Sequence, residues 1–353
     1  MTKSHPTTRP EDRPLHSITR AALAAALTAT VAGCSHLPIP GLTGSSTPGV
    51  SDGPYTLIQE PQAGYSTISS RIDNAKKSVR VVIYELADAA IEKSLESAKH
   101  RGNDVKVLLD SAFHGQQANQ SAYTALRAAG VDVKWAPADT IVHQKTVVID
   151  DDTAIISTAN FDAKYYPTGR DAMIVSSVPQ QVSAIAATFD GDYTNVDSGR
   201  LSPAVDAPGL IWSPAARAQF IRTINASHTE LDVTSEELKD HAAAISISQA
   251  AQRGVRCKVL LNADDADTPA VTQVKDAGCA VRVLPKSANG LYMHEKIILS
   301  DQDSLIIGSQ NLSTKSLTEN RELSIQLNKS AAPNIVAAVQ NQFTSDYDKA
   351  SPA

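Results

Sequence analysis

Apolar residues in this chain occur in short runs separated by polar turns, and the clearest example lies between residues 294 and 311. The apolar runs Ile297–Leu299 and Leu305–Ile307 flank the polar turn Ser300–Ser304, a pattern that predicts a β-hairpin. His294 and Lys296 enter its first strand, and small hydroxyl and amide residues leave its second. An imidazole, a fixed cation and neutral donors therefore converge at the open end of the hairpin, which suits the binding and attack of an anion.

One such hairpin would indicate little, because a histidine and a lysine on an edge strand are usually solvated. The pattern occurs twice, however, and the register extends beyond the hairpins: Asp171 and Glu322 each lie 28 residues after the histidine of their own copy. A repeat of this length is not expected by chance. The equivalent pairs within the motif are His143 and His294, Lys145 and Lys296, Asp150 and Asp301, Ser157 and Gly308, Thr158 and Ser309, and Asn160 and Asn311.

Strands and helices are predicted in the same order around both hairpins. In the first half, strands are predicted at Ser78–Tyr84, Val105–Asp110 and Val131–Trp135, and helices at Asp88–His100, Ala118–Ala129 and Pro179–Tyr193. In the second half, strands are predicted at Glu230–Thr234, Cys257–Asn262 and Cys279–Leu284, and helices at Asp240–Arg253, 268–277 and Ala332–Tyr347. This alternation predicts an α/β fold with largely parallel sheets, which the two hairpins make mixed.

The length of 353 residues exceeds what one compact core usually holds, so two domains are expected. The proline-rich segment Ser198–Pro214 is the predicted seam, which gives an N-terminal lobe at 55–205 and a C-terminal lobe at 206–353. A hydrophobic content of 42% is typical of a globular body and not of a disordered or membrane-embedded one.

The N-terminus has the features of a targeting segment. Four basic residues precede the apolar stretch Ala21–Ala32, which is too short to span a bilayer, and small residues lead directly to Cys34. This resembles a bacterial lipobox, which would make 1–33 a signal peptide, Cys34 a lipidated residue and 34–54 a flexible tether. The protein is then expected to be exported to the bacterial cell envelope and anchored to a membrane. The alternative is a plain cleavable signal with a chance cysteine.

Net charge disfavours nucleic acid as the main partner. The whole chain carries a formal charge of -6, and removal of residues 1–33 leaves 28 basic and 36 acidic side chains. Proteins that grip nucleic acid usually have the opposite sign. A local basic cleft in an acidic protein keeps that alternative open.

Two copies of His-x-Lys-x4-Asp-x6-Gly-Ser-x-Asn in one bilobal α/β chain resemble the phospholipase D superfamily, and the resemblance covers roughly Tyr55 to Asp348. It implies two similar α/β/α lobes related by a pseudo-twofold axis, with one active site between them. The first copy departs from the pattern, because Ser157 and Thr158 replace Gly-Ser. The lost glycine narrows the backbone conformations allowed there.

The resemblance also implies a mechanism. One histidine attacks phosphorus to give a phosphohistidine while the other protonates the leaving alcohol, and water or a second alcohol then releases the product. By family analogy His143 is the nucleophile and His294 the acid, although nothing in the local sequence separates them. No metal or other cofactor is required. The residues assigned to catalysis are His143, Lys145, Asn160, Asp171, His294, Lys296, Asn311 and Glu322, and those assigned to substrate binding are Thr158 and Ser309.

Within this scheme the acidic residues have different roles. Asp171 and Glu322 are expected to accept a hydrogen bond from the far ring nitrogen of His143 and His294, which fixes the tautomer. The hairpin-turn residues Asp150 and Asp301 are expected to point away from the cleft. Capping or solvation is the expected role of three further residues that could line the cleft, Glu85, Glu236 and Glu237; His114 is likewise expected to lie in an ordinary polar loop.

Cys257 and Cys279 are expected to form a disulfide. Each opens a strand, and the helix between them makes a βαβ unit whose strands run parallel, so both cysteines stand at the same sheet edge. An exported protein offers the oxidising location in which such bonds persist. The alternative is two free buried cysteines.

The sequence therefore predicts a monomeric phosphodiesterase of phospholipase D type. It would hydrolyse phospholipid head groups or move phosphatidyl groups between alcohols. The rival enzyme is an exported nuclease of the same superfamily. The rival of another class is a non-catalytic, surface-anchored binding protein, which would have no need of paired histidines and lysines.

Overall fold

The computed structural model describes residues 49–165, 168–284 and 290–353. These residues form two lobes, each built on one eight-stranded sheet. The predicted signal segment, Cys34 and the tether up to residue 48 lie outside the described residues. No helix in the described ranges combines the length and apolar character needed to cross a bilayer.

The first lobe contains strands β1 to β11 and helices α1 to α4. Helix α2 begins where the sequence predicts, because the Asp88 carboxylate accepts hydrogen bonds from the amides of Ala90 and Ile91. The elements are β1 (Val50–Asp52), β2 (Tyr55–Gln59), α1 (Ser66–Asp73), β3 (Ser78–Ile83), β4 (Leu86–Ala87), α2 (Ala89–His100), β5 (Asp104–Leu109), α3 (Gly115–Ala128), β6 (Asp132–Trp135), β7 (Thr146–Ile149), β8 (Thr153–Ser157), β9 (Phe161–Asp162), β10 (Gly169–Arg170), β11 (Ala172–Ser176) and α4 (Pro179–Asn195).

The second lobe repeats this order with strands β12 to β20 and helices α5 to α9. Asp240 caps α6 as Asp88 caps α2, by accepting a hydrogen bond from the amide of Ala243. The elements are β12 (Leu210–Ser213), α5 (Arg217–Asn225), β13 (Glu230–Thr234), α6 (His241–Gln252), β14 (Arg256–Asn262), α7 (Pro269–Asp276), β15 (Ala280–Leu284), β16 (Tyr292–Met293), β17 (Ile297–Ser300), β18 (Ser304–Gly308), α8 (Thr314–Thr318), β19 (Glu322–Asn328), α9 (Pro333–Lys349) and β20 (Ser351–Pro352).

Both sheets are mixed, so the predicted α/β class is confirmed, but parallel pairing does not dominate. The first sheet has the order β1-β2-β11-β8-β7-β3-β5-β6 and the second β12-β19-β18-β17-β13-β14-β15-β20. Within these two sheets, parallel pairs occur only in β3-β5-β6 and β13-β14-β15. The motif-hairpin pairs β7-β8 and β17-β18 are antiparallel because the residues that connect them, 150–152 and 301–303, are too few for a parallel crossover.

The end of the predicted tether is ordered structure. Residues Val50–Asp52 form β1, which pairs with β2. The Asp52 carboxylate accepts hydrogen bonds from the side chain of Asn334 and the amide of Ile335, at the start of α9. An acidic side chain that accepts hydrogen bonds at a helix N-terminus is stabilising, which explains why a Gly/Ser-rich segment is fixed here.

The two lobes pack on each other through apolar side chains. Leu57 and Ile174 of the first sheet share one buried cluster with Leu299 and Ile325 of the second, and side chains from α4 and α9 complete it. A further link is the buried ion pair between Arg170 Nε and Asp346 Oδ2, 2.7 Å apart. The open ends of the two hairpins are therefore held against each other by a continuous core.

The motif hairpins turn at two consecutive residues with positive φ. Asp150 and Asp151 have φ of 54° and 60°, and the amide of Asp152 donates to the carbonyl oxygen of Ile149, which closes the turn. The Asp150 carboxylate accepts three backbone N–H groups from residues 76–78. Asp301 does the same for residues 228–230. Both aspartates therefore tie the turn to the chain that enters the central strand, away from the cleft.

Cys257 and Cys279 are joined by a disulfide, with their Cα atoms 4.8 Å apart. Cys257 lies near the start of β14, and Cys279 directly precedes β15, which pairs with β14 in parallel. This places the bond at the N-terminal edge of the parallel strands.

Candidate active site

The two histidines are each held by a carboxylate of the other copy. His143 Nδ1 lies 2.9 Å from Glu322 Oε2, and His294 Nδ1 lies 2.8 Å from Asp171 Oδ1. In the order in which the sequence repeats them, Asp171 would pair with His143 and Glu322 with His294, so the expected partners are exchanged. All four side chains are buried.

Two short bridges between the lobes cause this exchange. Strand β10 of the first lobe pairs in parallel with β16 of the second, with Arg170 opposite Met293. The next residue of each strand is Asp171 and His294, which therefore meet. A parallel bridge between Val142 and Arg321 does the same for His143 and Glu322.

The exchanged carboxylates fix the histidine tautomers. Burial raises the pKa of Glu322, but the hydrogen bond from His143, the charge of Lys145 and a hydrogen bond from Asn320 together hold it below its usual range, so Glu322 is ionised and can only accept. His143 must then carry its proton on Nδ1 and direct Nε2 into the cleft. Burial, helped by Lys145 and Lys296, lowers the pKa of His143, so this histidine is neutral and its Nε2 is a free nucleophile near neutral pH.

Lys145 is a buried cation in the first copy. Its Nζ donates to the carbonyl oxygen of His143 at 2.7 Å and lies 5.1 Å from the centre of the Tyr84 ring. Burial, together with the neighbouring charge of Lys296, lowers the pKa of Lys145 to about 7. A phosphate arriving in the cleft would restore the full charge of this amine.

Lys296 has a different environment. Its Nζ also donates to the carbonyl of its own histidine, but it lies 3.1 Å from Glu236 Oε2. The same oxygen accepts from Asn311 Nδ2 at 3.2 Å. Glu236, for which solvation or capping was the expected role, therefore contacts the motif residues of the second copy.

Glu85 is the corresponding residue of the first copy, two positions after the end of its strand, and it also lines the cleft. Its Oε2 accepts from Asn160 Nδ2 at 3.5 Å, and its Oε1 lies 2.8 Å from His114 Nε2. His114 is thus attached to the site, whereas Glu237 pairs with Lys239 outside it. The signal in the sequence was the position of both carboxylates directly after a central strand, where α/β sites collect.

Thr158 and Ser309 are predicted to bind substrate. In the structure their hydroxyls form hydrogen bonds with other groups of the protein. Thr158 Oγ1 donates to the Asp171 carboxylate and accepts from the amide of Ala172 at 2.9 Å. Ser309 Oγ accepts from the amide of Leu323 at 3.1 Å. Both side chains are fully buried, and their contact with a substrate stays a prediction.

The glycine missing from the first copy has a steric and not a conformational role. Gly308 has no positive φ, and a Cβ at this position would collide with Ser324 on the neighbouring strand. In the first copy Ser157 is accommodated, and its hydroxyl accepts from the amide of Ala159 at 2.9 Å. The substitution therefore leaves the hairpin intact.

Three tyrosines, which the sequence did not single out, complete the walls of the cleft. The Tyr84 ring meets the His143 ring edge-on at 4.7 Å between centroids. Tyr165 and Tyr292 stack on each other at 6.1 Å and on His294 at 6.3 and 6.0 Å. Aromatic walls reduce the exposure of the histidines to water and so strengthen the charge interactions in the site.

Two other features lie apart from this chemistry. A cavity of about 1190 Å³ lies along residues 199–215, lined by Trp212 and Arg321 among others, but by neither of the two histidines. Within the described ranges, no group of three or more His, Cys, Asp or Glu side chains is arranged to hold a metal ion.

The chain was compared with known protein families and proteins. A family model described as "Cardiolipin synthase, PLD-like domain" matches residues 68–193 and again 220–347. The protein named "Probable cardiolipin synthase YwiE" from Bacillus subtilis is 26% identical over 170 residues, which are 47% of this chain and 33% of that protein. A phospholipase D of Rickettsia conorii is 34% identical over 108 residues, 31% of this chain and 53% of that protein.

The alignments thus span about a third to about a half of these relatives' own length. Among solved structures, phosphatidylserine synthase of Haemophilus influenzae has a TM-score of 0.65 at 14% identity, covering 86% of this chain and 88% of that one. This likeness concerns the bilobal fold.

Proposed function

Because the chain belongs to the phospholipase D superfamily, we propose that it is a phosphodiesterase acting on phospholipids. It would release the head group to water or transfer the phosphatidyl group to a second alcohol. The observation that carries this proposal is the pair of facing histidines, each held at Nδ1 by a carboxylate from the other copy. A binding protein has no use for two imidazoles oriented in this way.

The first step begins with neutral His143. Its Nε2 attacks phosphorus and forms a P–N bond, while the P–O bond to the head-group alcohol breaks and that oxygen takes the Nε2 proton of His294. Lys145 and Lys296 neutralise the phosphate charge, which would otherwise repel the nucleophile. In the second step water or an alcohol gives its proton to His294 and attacks phosphorus, and the P–N bond breaks.

Three features support lipid over nucleic acid as the substrate. The relatives described above are named for phospholipid reactions. The carboxylates of Glu85 and Glu236 also line the cleft, and they would repel the flanking phosphates of a polynucleotide.

A third feature is the ring of Phe113, which is 85% exposed. Its backbone has a φ of 51°, a strained conformation for an aromatic residue. The ring contacts His114, which is attached to Glu85 in the cleft. A large apolar side chain held outward at the edge of an active site suits contact with a lipid surface.

The proposal includes the lipid anchor at Cys34 and the envelope location, which are supported by the lipobox-like sequence alone. Cys34→Ala should move the protein from the membrane fraction to the soluble fraction of cells. Membrane retention of this variant would argue against lipid anchoring at this cysteine.

The test of function is a substrate panel with a chelator present. Phospholipid vesicles, with and without an added alcohol, are compared with single-stranded and double-stranded DNA, and His143→Ala serves as the inactive control. We expect head-group release or exchange that survives EDTA and is absent in the variant. Faster turnover of DNA than of lipid would assign a nuclease, and no turnover of either would favour a binding protein.

The variant Phe113→Ala tests whether the exposed ring contacts a lipid surface. It should lower turnover of vesicle lipid by about tenfold and leave turnover of a soluble short-chain phospholipid unchanged. Val205→Ala is the matched control, because Val205 is the other exposed large apolar residue in the described part of the chain, at 42%. Equal loss on both substrates would mean that Phe113 supports the loop and not the lipid contact.

A further inference from the structure

Glu236 occupies the centre of the second half-site. Its Oε2 lies 3.4 Å from His294 Nε2, 3.1 Å from Lys296 Nζ and 3.2 Å from Asn311 Nδ2. Its Oε1 accepts a hydrogen bond from the hydroxyl of Tyr292 at 2.8 Å. The side chain is 21% exposed, so it is open to the cleft.

His294 therefore has a carboxylate at both ring nitrogens, Asp171 at Nδ1 and Glu236 at Nε2. An imidazole between two carboxylates can satisfy both only when both nitrogens carry a proton. His143 has a carboxylate at Nδ1 alone, from Glu322.

The first copy has a carboxylate at the corresponding position, but its contacts differ. Glu85 is engaged by His114, Asn160 and Lys164. Among the described residues it forms no ion pair with His143 or Lys145. The pseudo-symmetry of the site is thus broken by one side chain that lies outside the repeated motif.

The charge state of Glu236 fits this difference. The charges of Lys296 and His294 outweigh burial and hold the pKa of Glu236 well below its usual range. Ionised Glu236 can accept a hydrogen bond from a proton on His294 Nε2 and can donate none in return.

We propose that Glu236 is the positioning residue that makes the two histidines unequal. It keeps a proton on His294 Nε2 in the free enzyme, so His294 is ready as the acid, and it leaves His143 as the nucleophile. The inference rests on the proposed two-histidine reaction and adds the cause of its direction. Glu236 acts through His294. When substrate binds, the leaving oxygen replaces the Glu236 carboxylate at His294 Nε2.

Other charged groups face the same imidazole and stay in place in the test. Asp171 lies at Nδ1, Lys296 donates to the carbonyl oxygen of His294, and Tyr165 and Tyr292 stack on the ring. From the first copy, His143 and Lys145 also interact electrostatically with Glu236 across the cleft. Substitution of Glu236 alone therefore isolates its contribution.

The first readout is the pH profile of kcat/KM on a natural phospholipid, because kcat/KM reports the groups of the free enzyme. Glu236→Gln keeps the size and one accepting oxygen but removes the charge, so the alkaline limb should move about one pH unit lower. At pH 8 kcat/KM should fall about tenfold, with a change of less than about threefold on the acid side. Glu237→Gln, the adjacent control paired with Lys239 outside the cleft, should leave the profile unchanged.

An unchanged profile with a lowered Tm in Glu236→Gln would reduce Glu236 to a structural role and overturn the proposal. A fall in KM with a raised kcat at every pH would also overturn it, because Glu236 would then only compete with the phosphate. Glu236→Asp, which keeps the charge, should restore most of the alkaline limb.

The second readout does not depend on lipid as the substrate. An activated diester with a good leaving group is mixed with enzyme, the reaction is quenched, and the phosphohistidine is mapped by mass spectrometry. The adduct should lie on His143 alone in the wild type and on both histidines in Glu236→Gln. An adduct on His294 in the wild type would contradict the assignment. If lipid assays fail but this mapping succeeds, the substrate proposal fails and the role of Glu236 stands.

Discussion

The two copies of the motif share a hairpin, a turn aspartate and an exchanged carboxylate, yet the surroundings of their lysines differ. Within the described ranges Lys145 makes no ion pair, whereas Lys296 Nζ lies 3.1 Å from Glu236 Oε2. Duplication supplies two equivalent half-sites, but the proposed reaction needs one nucleophile and one acid. The difference arises from Glu236, which lies outside the repeated pattern.

The largest expected effect comes from removing either histidine. His143→Ala and His294→Ala should each lower turnover of a natural diester by at least about 10³-fold, because nucleophile and acid act as a unit. Activity of His294→Ala within about tenfold of wild type on such a diester would contradict the two-histidine scheme.

A substrate with a good leaving group should separate the same two variants. It needs no acid in the first step, so His294→Ala should still form a phosphohistidine and accumulate it, whereas His143→Ala should form none. The measurement is the burst of released leaving group after mixing. Equal bursts from both variants would mean that the two copies are interchangeable.

The next effect is the pH dependence of kcat/KM. Lys145 has a pKa of about 7, so its charge is present below that pH and is lost above it. Neutral Lys145 stabilises a phosphate less, so kcat/KM should fall as the pH rises through about 7. The acid limb should lie below the ordinary histidine value of about 6.5, because burial lowers the pKa of His143.

Lys145→Arg provides the control for this limb. A guanidinium stays charged throughout the range, so the alkaline limb of kcat/KM should move to higher pH even if the maximum falls. An unchanged limb would assign it to another group of the coupled site.

The sequence could predict the repeated half-site because it is encoded locally. Strand runs, hairpin turns and the spacing between His143 and Lys145 all lie within a few residues of each other. The exchange of Asp171 and Glu322 could not be predicted in this way, since it depends on the pairing of β10 with β16 between lobes. Two-residue strands have almost no signal in a sequence.

The role of Glu236 is a second feature that the sequence alone could not predict. Its position after β13 is the same as that of Glu85 after β3, and the contacts of the two carboxylates differ only through packing. The sequence predicted the two motif hairpins but not β11 and β19, the strands that extend the antiparallel part of each sheet. Strand β19 (Glu322–Asn328) begins with a charged residue and lacks the continuous apolar run that marks the central strands.

A smaller effect is expected from the disulfide, which crosslinks the second lobe. Reduction should lower the free energy of unfolding by roughly 2–4 kcal/mol. It should leave the initial rate unchanged, because Cys257 and Cys279 lie at the sheet edge opposite the catalytic residues. Tm and initial rate are measured on the same reduced sample. Two reactive thiols in denatured, unreduced protein, other than Cys34, would show that the bond does not form.

The smallest expected effect concerns the turn aspartates, where the two copies are nearly equal. Asp150→Asn and Asp301→Asn should each lower the free energy of unfolding by about 1–2 kcal/mol, at the low end for hydrogen bonds to a charge because both carboxylates are partly solvated. Neither change should alter kcat, since both residues lie away from the cleft.

The difference between these two variants should also be measurable. Asp301 accepts an additional hydrogen bond from the hydroxyl of Thr229 at 2.9 Å. Burial raises the pKa of Asp301, but hydrogen bonds from the backbone outweigh this effect and lower the pKa to about 2. The stabilisation of the folded state by ionised Asp301 is therefore present above about pH 4 and is lost as the pH falls through about 2. Denaturant unfolding at pH 7 and at low pH should show Asp301→Asn as the slightly more destabilised variant at pH 7, with its deficit shrinking in acid. A deficit that persists unchanged below pH 2 would show that the ionised carboxylate is not the stabilising group.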